Sequence, residues 1–232
     1  MIKYFCASND RAMLTKYIVD NPFIKDVEIQ LDSNRAKGLP ERYNEFIDRN
    51  LNSDAWLVFL HDDVELLEDI GPKLEGLPKD MIYGACGAKK TNGKGEIVGE
   101  ILTQDPRIHN GNKFMFGRRV DGYEIVPTFD PLIVIIHSSL FDHGTALCVS
   151  DLWFDEKLGY HLLSEELSIR CKTEYDIKSA VAQLNLCHYS WGSRTPEYHE
   201  AHAYILKKHG LKRFIGTPEH ECMNNSEADD WE

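Results

Sequence analysis

The chain has 232 residues, enough for one sizeable α/β domain, and its shares of 42% hydrophobic and 28% charged residues exclude a largely disordered or fibrous protein. A formal net charge of −12 at pH 7 disfavours phosphodiester backbones and anionic lipid surfaces, so we expect no nucleic-acid partner. The apolar run at 131–136 is too short for a transmembrane segment, and Met1 leads directly into a strand-like segment without a signal peptide, which predicts a cytoplasmic protein.

Strand-like and helix-like segments alternate in the first quarter of the chain. Apolar strands end in turn-forming polar residues, and a helix-forming segment follows each of the first two. The predicted elements are a strand at 2–7, a helix at 11–19, a strand at 27–31, a helix at 40–50 and a strand at 55–60. Such alternation predicts a parallel, doubly wound sheet with right-handed crossovers.

Polar residues follow these strands at Ser8, Asp32 and Asp62. Ligands bind beyond the carboxyl ends of the strands in doubly wound sheets. We therefore expect these three positions, distant in sequence, to meet at one edge of the sheet.

The pattern changes after residue 80. Strands at 82–88 and 96–102 are joined by Asn92-Gly93-Lys94-Gly95, which is more typical of a hairpin turn than of a phosphate-binding loop, because no helix follows it. The remaining predictions are an irregular region at 104–123, a strand at 133–136, a helix at 164–171 capped by Ser164, a strand at 177–186, a helix at 196–209, and a disordered acidic tail at 219–232. The domain would then span 1–218.

The six cysteines form no Cys-x-x-Cys pair. They are scattered through apolar or strand-like segments, so we predict reduced core residues rather than disulfides or a zinc site.

The segment His61-Asp62-Asp63 places two carboxylates directly after a buried strand. On its own it is equally typical of a solvated loop or a helix cap. Hard oxygen ligands at a strand end nevertheless suit Mg²⁺ or Mn²⁺, which take one or two carboxylates together with substrate phosphates.

Two further segments carry groups suited to chemistry. The pair Glu165-Glu166 lies at the start of a predicted helix, where acidic residues are often only favourable partners of the helix dipole. His188 ends an apolar strand, where a hydrogen-bonded core histidine is the commoner outcome.

Taken in order, these segments resemble the GT-A glycosyltransferases, specifically the family 2-like branch of small bacterial and viral sugar transferases. The resemblance runs from the first strand to about Ser193. It implies that His61-Asp62-Asp63 corresponds to the family's DxD metal motif, with His61 in place of the first aspartate. Asp63 would then bind Mn²⁺ or Mg²⁺, Asp62 the metal or the donor ribose, and His188 would be a further metal ligand.

The resemblance also implies roles for residues outside the metal motif. For the nucleotide-sugar donor, Ala7, Ser8 and Asp32 would contact the base and ribose. Lys37 and Asn44 would lie near the donor, and Asp130 would face its sugar. His161 belongs, with Trp153, Tyr160 and Trp191, to a set of ring side chains whose faces could pack against the sugar rings of an acceptor. Glu166, beside Glu165, would accept the proton of an acceptor hydroxyl.

The implied activity is the transfer of a sugar from a nucleotide sugar, UDP-linked by family analogy, to a hydroxyl of a glycan or other acceptor; inversion with a carboxylate base is the first hypothesis, and retention is the alternative. A sugar-1-phosphate nucleotidylyltransferase is one alternative, but its glycine-rich loop after the first strand is missing at 7–11. A non-catalytic nucleotide-sugar binding module is another, and the presence of both acidic pairs disfavours it.

Overall fold

The computed structural model describes residues 1–31, 37–91, 94–105, 109–141, 153–190, 195–214 and 216. Its strands are β1 Ile2–Ser8, β2 Glu28–Leu31, β3 Trp56–Leu60, β4 Val64–Leu66, β5 Met81–Gly84, β6 Gly87–Thr91, β7 Lys94–Val98, β8 Ile101–Thr103, β9 Phe114–Phe116, β10 Tyr123–Ile125, β11 Thr128–Phe129, β12 Ile133–His137, β13 Lys178–Ala182 and β14 Leu186–His188. The helices are α1 Arg11–Leu14, which continues as a π-helical turn Thr15–Val19, α2 Leu39–Asp48, α3 Gly71–Glu75, α4 Leu163–Tyr175 and α5 Pro196–His209.

The first quarter of the chain folds as its pattern predicts. Strand β1 pairs in parallel with both β2 and β3, and the Asp10 side chain caps α1 by accepting hydrogen bonds from the amides of Ala12 and Met13 at 2.9 and 3.1 Å. Every residue of β3 is buried, because helices cover both faces of the central sheet. Its carboxyl end therefore carries the following residues, 61–63, to one edge of the sheet.

The prediction of a parallel sheet is wrong for β10 and β12. The seven-stranded sheet has the order β10-β13-β5-β12-β3-β1-β2 and is mixed, since β12 runs antiparallel to both β3 and β5, and the edge strand β10 runs antiparallel to β13. Only residues 130–132 separate β11 from β12, and a parallel crossover needs a dozen or more residues. The strand therefore starts at the edge where β3 ends, and Asp130 lies at that edge.

Several predicted strands are divided between different sheets. The segment 82–88 becomes β5 and β6, 96–102 becomes β7 and β8, and 177–186 becomes β13 and the start of β14. Glycines permit such bends: Gly99 has φ +91°, and a Cβ there would lie 2.1 Å from the Ala85 carbonyl oxygen. The hairpin itself is confirmed, because β6 and β7 pair antiparallel with Thr91 opposite Lys94.

The later helices confirm the predicted positions but not every cap. Helix α5 spans the predicted 196–209, and α4 begins at Leu163, preceded by Leu162 at φ 59°. Ser164 is therefore not the cap; its hydroxyl lies inside the first turn and donates to the Phe129 carbonyl at 2.6 Å, which ties α4 to β11.

Four cysteines confirm the prediction of reduced, buried thiols: Cys6, Cys86, Cys171 and Cys187. Cys148, Cys222 and the predicted acidic tail lie outside the described residues. Among the helices that the structure describes, none is long and apolar enough to cross a membrane.

A buried histidine lies at the opposite edge of the sheet. His137 ends β12, its ring packs edge-on against Trp56 at 4.9 Å, and its Nδ1 accepts a hydrogen bond from the Ser139 amide at 3.2 Å and lies 2.8 Å from the Ser139 hydroxyl oxygen. Burial, together with Lys79 and the N-terminal amino group, lowers the pKa of His137 to about 4, although the Asp54 carboxylate opposes the change.

We expect this histidine to weaken the fold in acid. The unfolded chain takes up the proton near pH 6.5 and the folded chain only near pH 4, so stability is lost as the pH falls through that window, by about 3 kcal/mol. Urea unfolding of wild type and His137→Asn between pH 4 and 7 measures the effect. A loss of stability of the same size in both proteins would show that other groups cause it.

Candidate active site

A cleft of about 910 Å³ opens at the carboxyl edge of the sheet. Its floor is formed by the end of β1 and the loop after β3, and its walls by the start of α2, the segment 157–161 and the N-terminal half of α5. Among the residues predicted for the site, Ala7, Ser8, Lys37, Asp62 and His161 line this cleft. Asp32 lies outside the described residues.

Ser8 and Asp62 meet as predicted. The Ser8 hydroxyl donates to Asp62 Oδ2 at 2.5 Å and accepts from the Asp10 amide at 2.9 Å, which fixes the carboxylate against the end of β1. Burial raises the pKa of Asp62, the bond from Ser8 opposes the change, and the neighbouring Asp63 adds to it. The cleft floor thus carries one carboxylate in a fixed position.

Asp63 points to a different partner. Strand β14 pairs antiparallel with β4, the Tyr189 amide donates to the Asp63 carbonyl at 2.9 Å, and this register sets His188 beside the Asp63 side chain. His188 Nε2 lies 3.5 Å from Asp63 Oδ2. Burial opposes ionisation of both groups, but their attraction outweighs it, so the pKa of Asp63 falls and that of His188 rises.

Two buried atoms of this group have no hydrogen-bond partner among the described residues: Asp63 Oδ1 and His61 Nε2. An unpaired buried oxygen and nitrogen are costly in a folded protein unless a ligand meets them. Asp130 lies near enough to influence the pKa of both His61 and His188, so it belongs to the same group.

The donor set fits a hard divalent cation held partly by a ligand. In the part of the chain that the structure describes, no three His, Cys, Asp or Glu side chains come close enough to enclose an ion by themselves. Mg²⁺ and Mn²⁺ sites commonly use one or two carboxylates and take their remaining oxygens from water and substrate phosphates. Asp62 offers a carboxylate at the cleft floor and Asp63 a buried carboxylate oxygen, whereas the Nε2 atom of His188, the predicted third ligand, faces Asp63.

The adjacent acids Glu165 and Glu166 lie in different surroundings. Glu166 is fully buried and does not line the cleft. Three basic side chains contact its carboxylate: Arg170 Nε at 3.1 Å, Lys208 Nζ at 2.7 Å and His209 Nε2 at 3.3 Å. Burial favours the protonated form, but these partners outweigh it and lower the pKa of Glu166 to about 2. Such a carboxylate is a weak base at neutral pH.

Glu165 is also buried but faces the sheet. The Ser164 hydroxyl lies 3.1 Å from Glu165 Oε2 and 2.6 Å from the Phe129 carbonyl oxygen. Glu165 is therefore near the end of β11, and like Glu166 it does not line the cleft.

Asn44 and Lys37 have positions that their predicted roles did not anticipate. The Asn44 amide donates to the Phe154 carbonyl at 2.9 Å and accepts from the Phe154 amide at 2.8 Å, so it holds the segment before α4 rather than facing the cleft. Lys37 lies at the cleft mouth, ion-paired with Glu41 and Glu45.

Sequence patterns did not indicate that α5 forms a wall of the cleft. Glu197, Glu200, Ala201 and Tyr204 line the cleft, together with Arg42 and Lys157. On the same helix the His202 ring packs against Phe214, with ring centroids 4.8 Å apart, and His209 contacts Glu166. Only the packing of α5 against the 153–161 segment reveals this.

No model of a known protein family matches this chain, and no curated protein matches it either.

Proposed function

We propose that the protein is a metal-dependent glycosyltransferase with a GT-A-type fold. The observation that carries the proposal is the arrangement at the end of β3: Asp62 faces the cleft and is held by Ser8, while Asp63 is paired with His188 and has one buried oxygen that no described residue contacts by a hydrogen bond. A nucleotide sugar needs both a cleft for the nucleoside and a charged centre at its diphosphate.

The fold is consistent with this proposal. An α/β sheet with ligand groups at its carboxyl edge suits a nucleotide, and the antiparallel β12 adds Asp130 to that edge. Two small sheets, β11-β6-β7 and β4-β14-β8-β9, add to the central one, and the second carries His188.

The cleft suits the donor. Its volume of about 910 Å³ is within the usual range of ligand sites. Ala7 and Ser8 would contact the base and ribose, Asp62 the ribose or the ion, and Lys37 the phosphates; UDP is proposed by family analogy. Tyr160 is 55% exposed at the cleft wall and stacks on His61 at 5.8 Å, which offers a sugar ring an aromatic face beside His161.

Asp63 and Asp62 would each offer a carboxylate oxygen to Mn²⁺ or Mg²⁺, with water and the donor diphosphate completing the coordination, while His188 holds Asp63 in place. The ion would neutralise the negative charge of the departing diphosphate, which an acidic protein otherwise repels. Asp63 is suited to this because its pKa is lowered, so its carboxylate is ionised at neutral pH.

The base is assigned to Glu165 rather than Glu166. In an inverting transfer the base takes the proton of the acceptor hydroxyl, the oxygen forms a bond to the anomeric carbon, and the bond to the nucleotide diphosphate breaks. Glu166 is neutralised by Arg170, Lys208 and His209 and lies away from the cleft. Neither acid lines the cleft, but Glu165 lies near Phe129, the residue before Asp130 at the carboxyl edge of the sheet.

Calorimetric titration with a panel of nucleoside diphosphates and nucleotide sugars tests the proposal. Binding of one nucleotide class that requires Mn²⁺ or Mg²⁺ and disappears with chelator is expected. Transfer to a hydroxyl acceptor, or slow hydrolysis of the donor, then separates a transferase from a binding module, and pyrophosphate release from a nucleoside triphosphate would identify a nucleotidylyltransferase. A protein that binds no member of the panel is not a glycosyltransferase.

A further inference from the structure

A cluster of charged side chains lies behind the cleft, between α4, α5 and the segment before α4. We call it the anchor cluster; its members are Asp155, Glu166, Arg170, Lys208 and His209. Lys208 Nζ bridges the two acids, at 2.7 Å from both Asp155 Oδ2 and Glu166 Oε1. Arg170 contacts Glu166 at 3.1 Å and also donates to the Trp153 carbonyl, so all three elements are joined.

The Glu166 carboxylate is at the centre of this cluster and is fully buried. A buried charge is tolerated when it is paired, and removing one partner leaves the others uncompensated. Lys208 and His209 lie at the carboxyl end of α5, and Arg170 lies one turn after Glu166 on α4. Glu166 therefore fixes the end of α5 to α4.

The other half of α5 lines the cleft. Glu197, Glu200 and Ala201 face it, and Tyr204 both lines it and donates to Asp155 Oδ2 at 2.7 Å. Tyr204 thus connects the cleft wall directly to the anchor cluster.

The opposite wall is tied to the same cluster. Asp155 accepts from the Lys157 amide at 3.0 Å and so starts the short helical turn that leads to Gly159–His161. The Gly159 carbonyl in turn accepts from the Leu39 amide at 2.9 Å, at the start of α2. Displacing Asp155 or the end of α5 would change the spacing of both walls.

We infer that Glu166 is a positioning residue: with Lys208 and Asp155 it sets the width of the cleft, and so governs donor affinity without taking part in proton transfer. The inference rests on the proposed function for its ligand, but the anchoring of α5 is measurable without one.

The test compares Glu166→Gln, Lys208→Met and the double variant with wild type. The readouts are the dissociation constant of the nucleoside diphosphate found in the panel, KM, kcat and the pH profile of kcat. We expect each single variant to weaken binding and raise KM about tenfold, with the acid limb of the profile retained. The double variant should be hardly weaker than either single one, because the two residues act as a unit.

Lys207→Met is the matched control, because Lys207 is the exposed neighbour of Lys208 on α5. It should leave binding unchanged. A catalytic base would behave differently: Glu166→Gln would lower kcat about 10²- to 10⁴-fold, remove the acid limb and leave the dissociation constant unchanged, while Lys208→Met behaved as wild type. That result would overturn the inference.

Hydrogen exchange of the α5 amides provides the ligand-independent measurement. Faster exchange across 198–206 in both Glu166→Gln and Lys208→Met, but not in Lys207→Met, is expected. If the α5 amides of both variants exchange at the wild-type rate, the anchor cluster does not hold α5 and the inference is refuted. If the wild-type protein binds no nucleotide, the proposed function fails, but the exchange rates still show whether the anchor cluster holds α5. If Glu166→Gln does not fold, Lys208→Met alone is sufficient for this measurement.

Discussion

Replacing Asp63 with alanine is expected to abolish metal-dependent nucleotide binding and to lower turnover about 10³-fold. The carboxylate has one oxygen 3.5 Å from His188 Nε2 and another that is buried without a hydrogen-bond partner among the described residues. Losing it removes the main hard ligand of the proposed ion and, with it, several kcal/mol of charge stabilisation at the diphosphate.

Calorimetry with Mn²⁺ and with chelator measures the effect of Asp63→Ala, and urea unfolding shows whether the variant is folded. Asp80→Ala is the control, because Asp80 is an exposed aspartate that precedes β5 at the opposite edge of the sheet. If Asp63→Ala binds nucleotide with the wild-type affinity and the same response to Mn²⁺, the ion is not held by Asp63 and the proposed site has to be abandoned.

Glu165→Gln is expected to lower kcat about 10²- to 10⁴-fold and to leave donor affinity within about twofold of wild type. The amide keeps the shape of the side chain but cannot accept the proton of the acceptor hydroxyl. Steady-state kinetics at saturating donor, combined with calorimetry of the nucleotide, separates the two quantities.

Glu166→Gln is the matched comparison for Glu165→Gln, since the same chemical change is made one residue further along α4. The two variants should affect different quantities: Glu165→Gln should lower kcat, and Glu166→Gln should lower donor affinity. Near-normal turnover of Glu165→Gln would remove the base assignment and direct attention to Asp130, the neighbouring acid at the same edge.

Local sequence patterns were sufficient for much of the framework. The continuous apolar run of β3 predicts a strand buried on both faces, and the polar residues that follow β1 and β3 predict an edge where ligands bind; Ser8 and Asp62 do meet there. The span of α5 also followed from its proline at the start and the glycine after its end.

Sequence patterns were less informative where a glycine or a short connection decides the direction of a strand. Nothing in the apolar segment of β12 distinguishes a parallel from an antiparallel strand, because both directions bury the same side chains. The short link from β11 settles it, and that link has meaning only once β11 is known to be a strand at the carboxyl edge.

The different surroundings of the adjacent acids Glu165 and Glu166 could be found only in the folded structure. Glu165 and Glu166 have the same side chain and are neighbours on one helix, yet one faces the end of β11 and the other the basic residues of α5. A pKa depends on burial and nearby charges, and for Glu166 two of the three basic partners, Lys208 and His209, come from a helix more than 40 residues away.

The sequence by itself determined the strands and helices of the first 60 residues, the later helices α4 and α5, and the carboxylate at the carboxyl edge, because periodicity, turn residues and caps act over a few neighbours. The tertiary structure alone decided the direction of β12, the pairing of Asp63 with His188 and the burial of Glu166 among cations. Those features depend on contacts between distant segments, which no local pattern specifies.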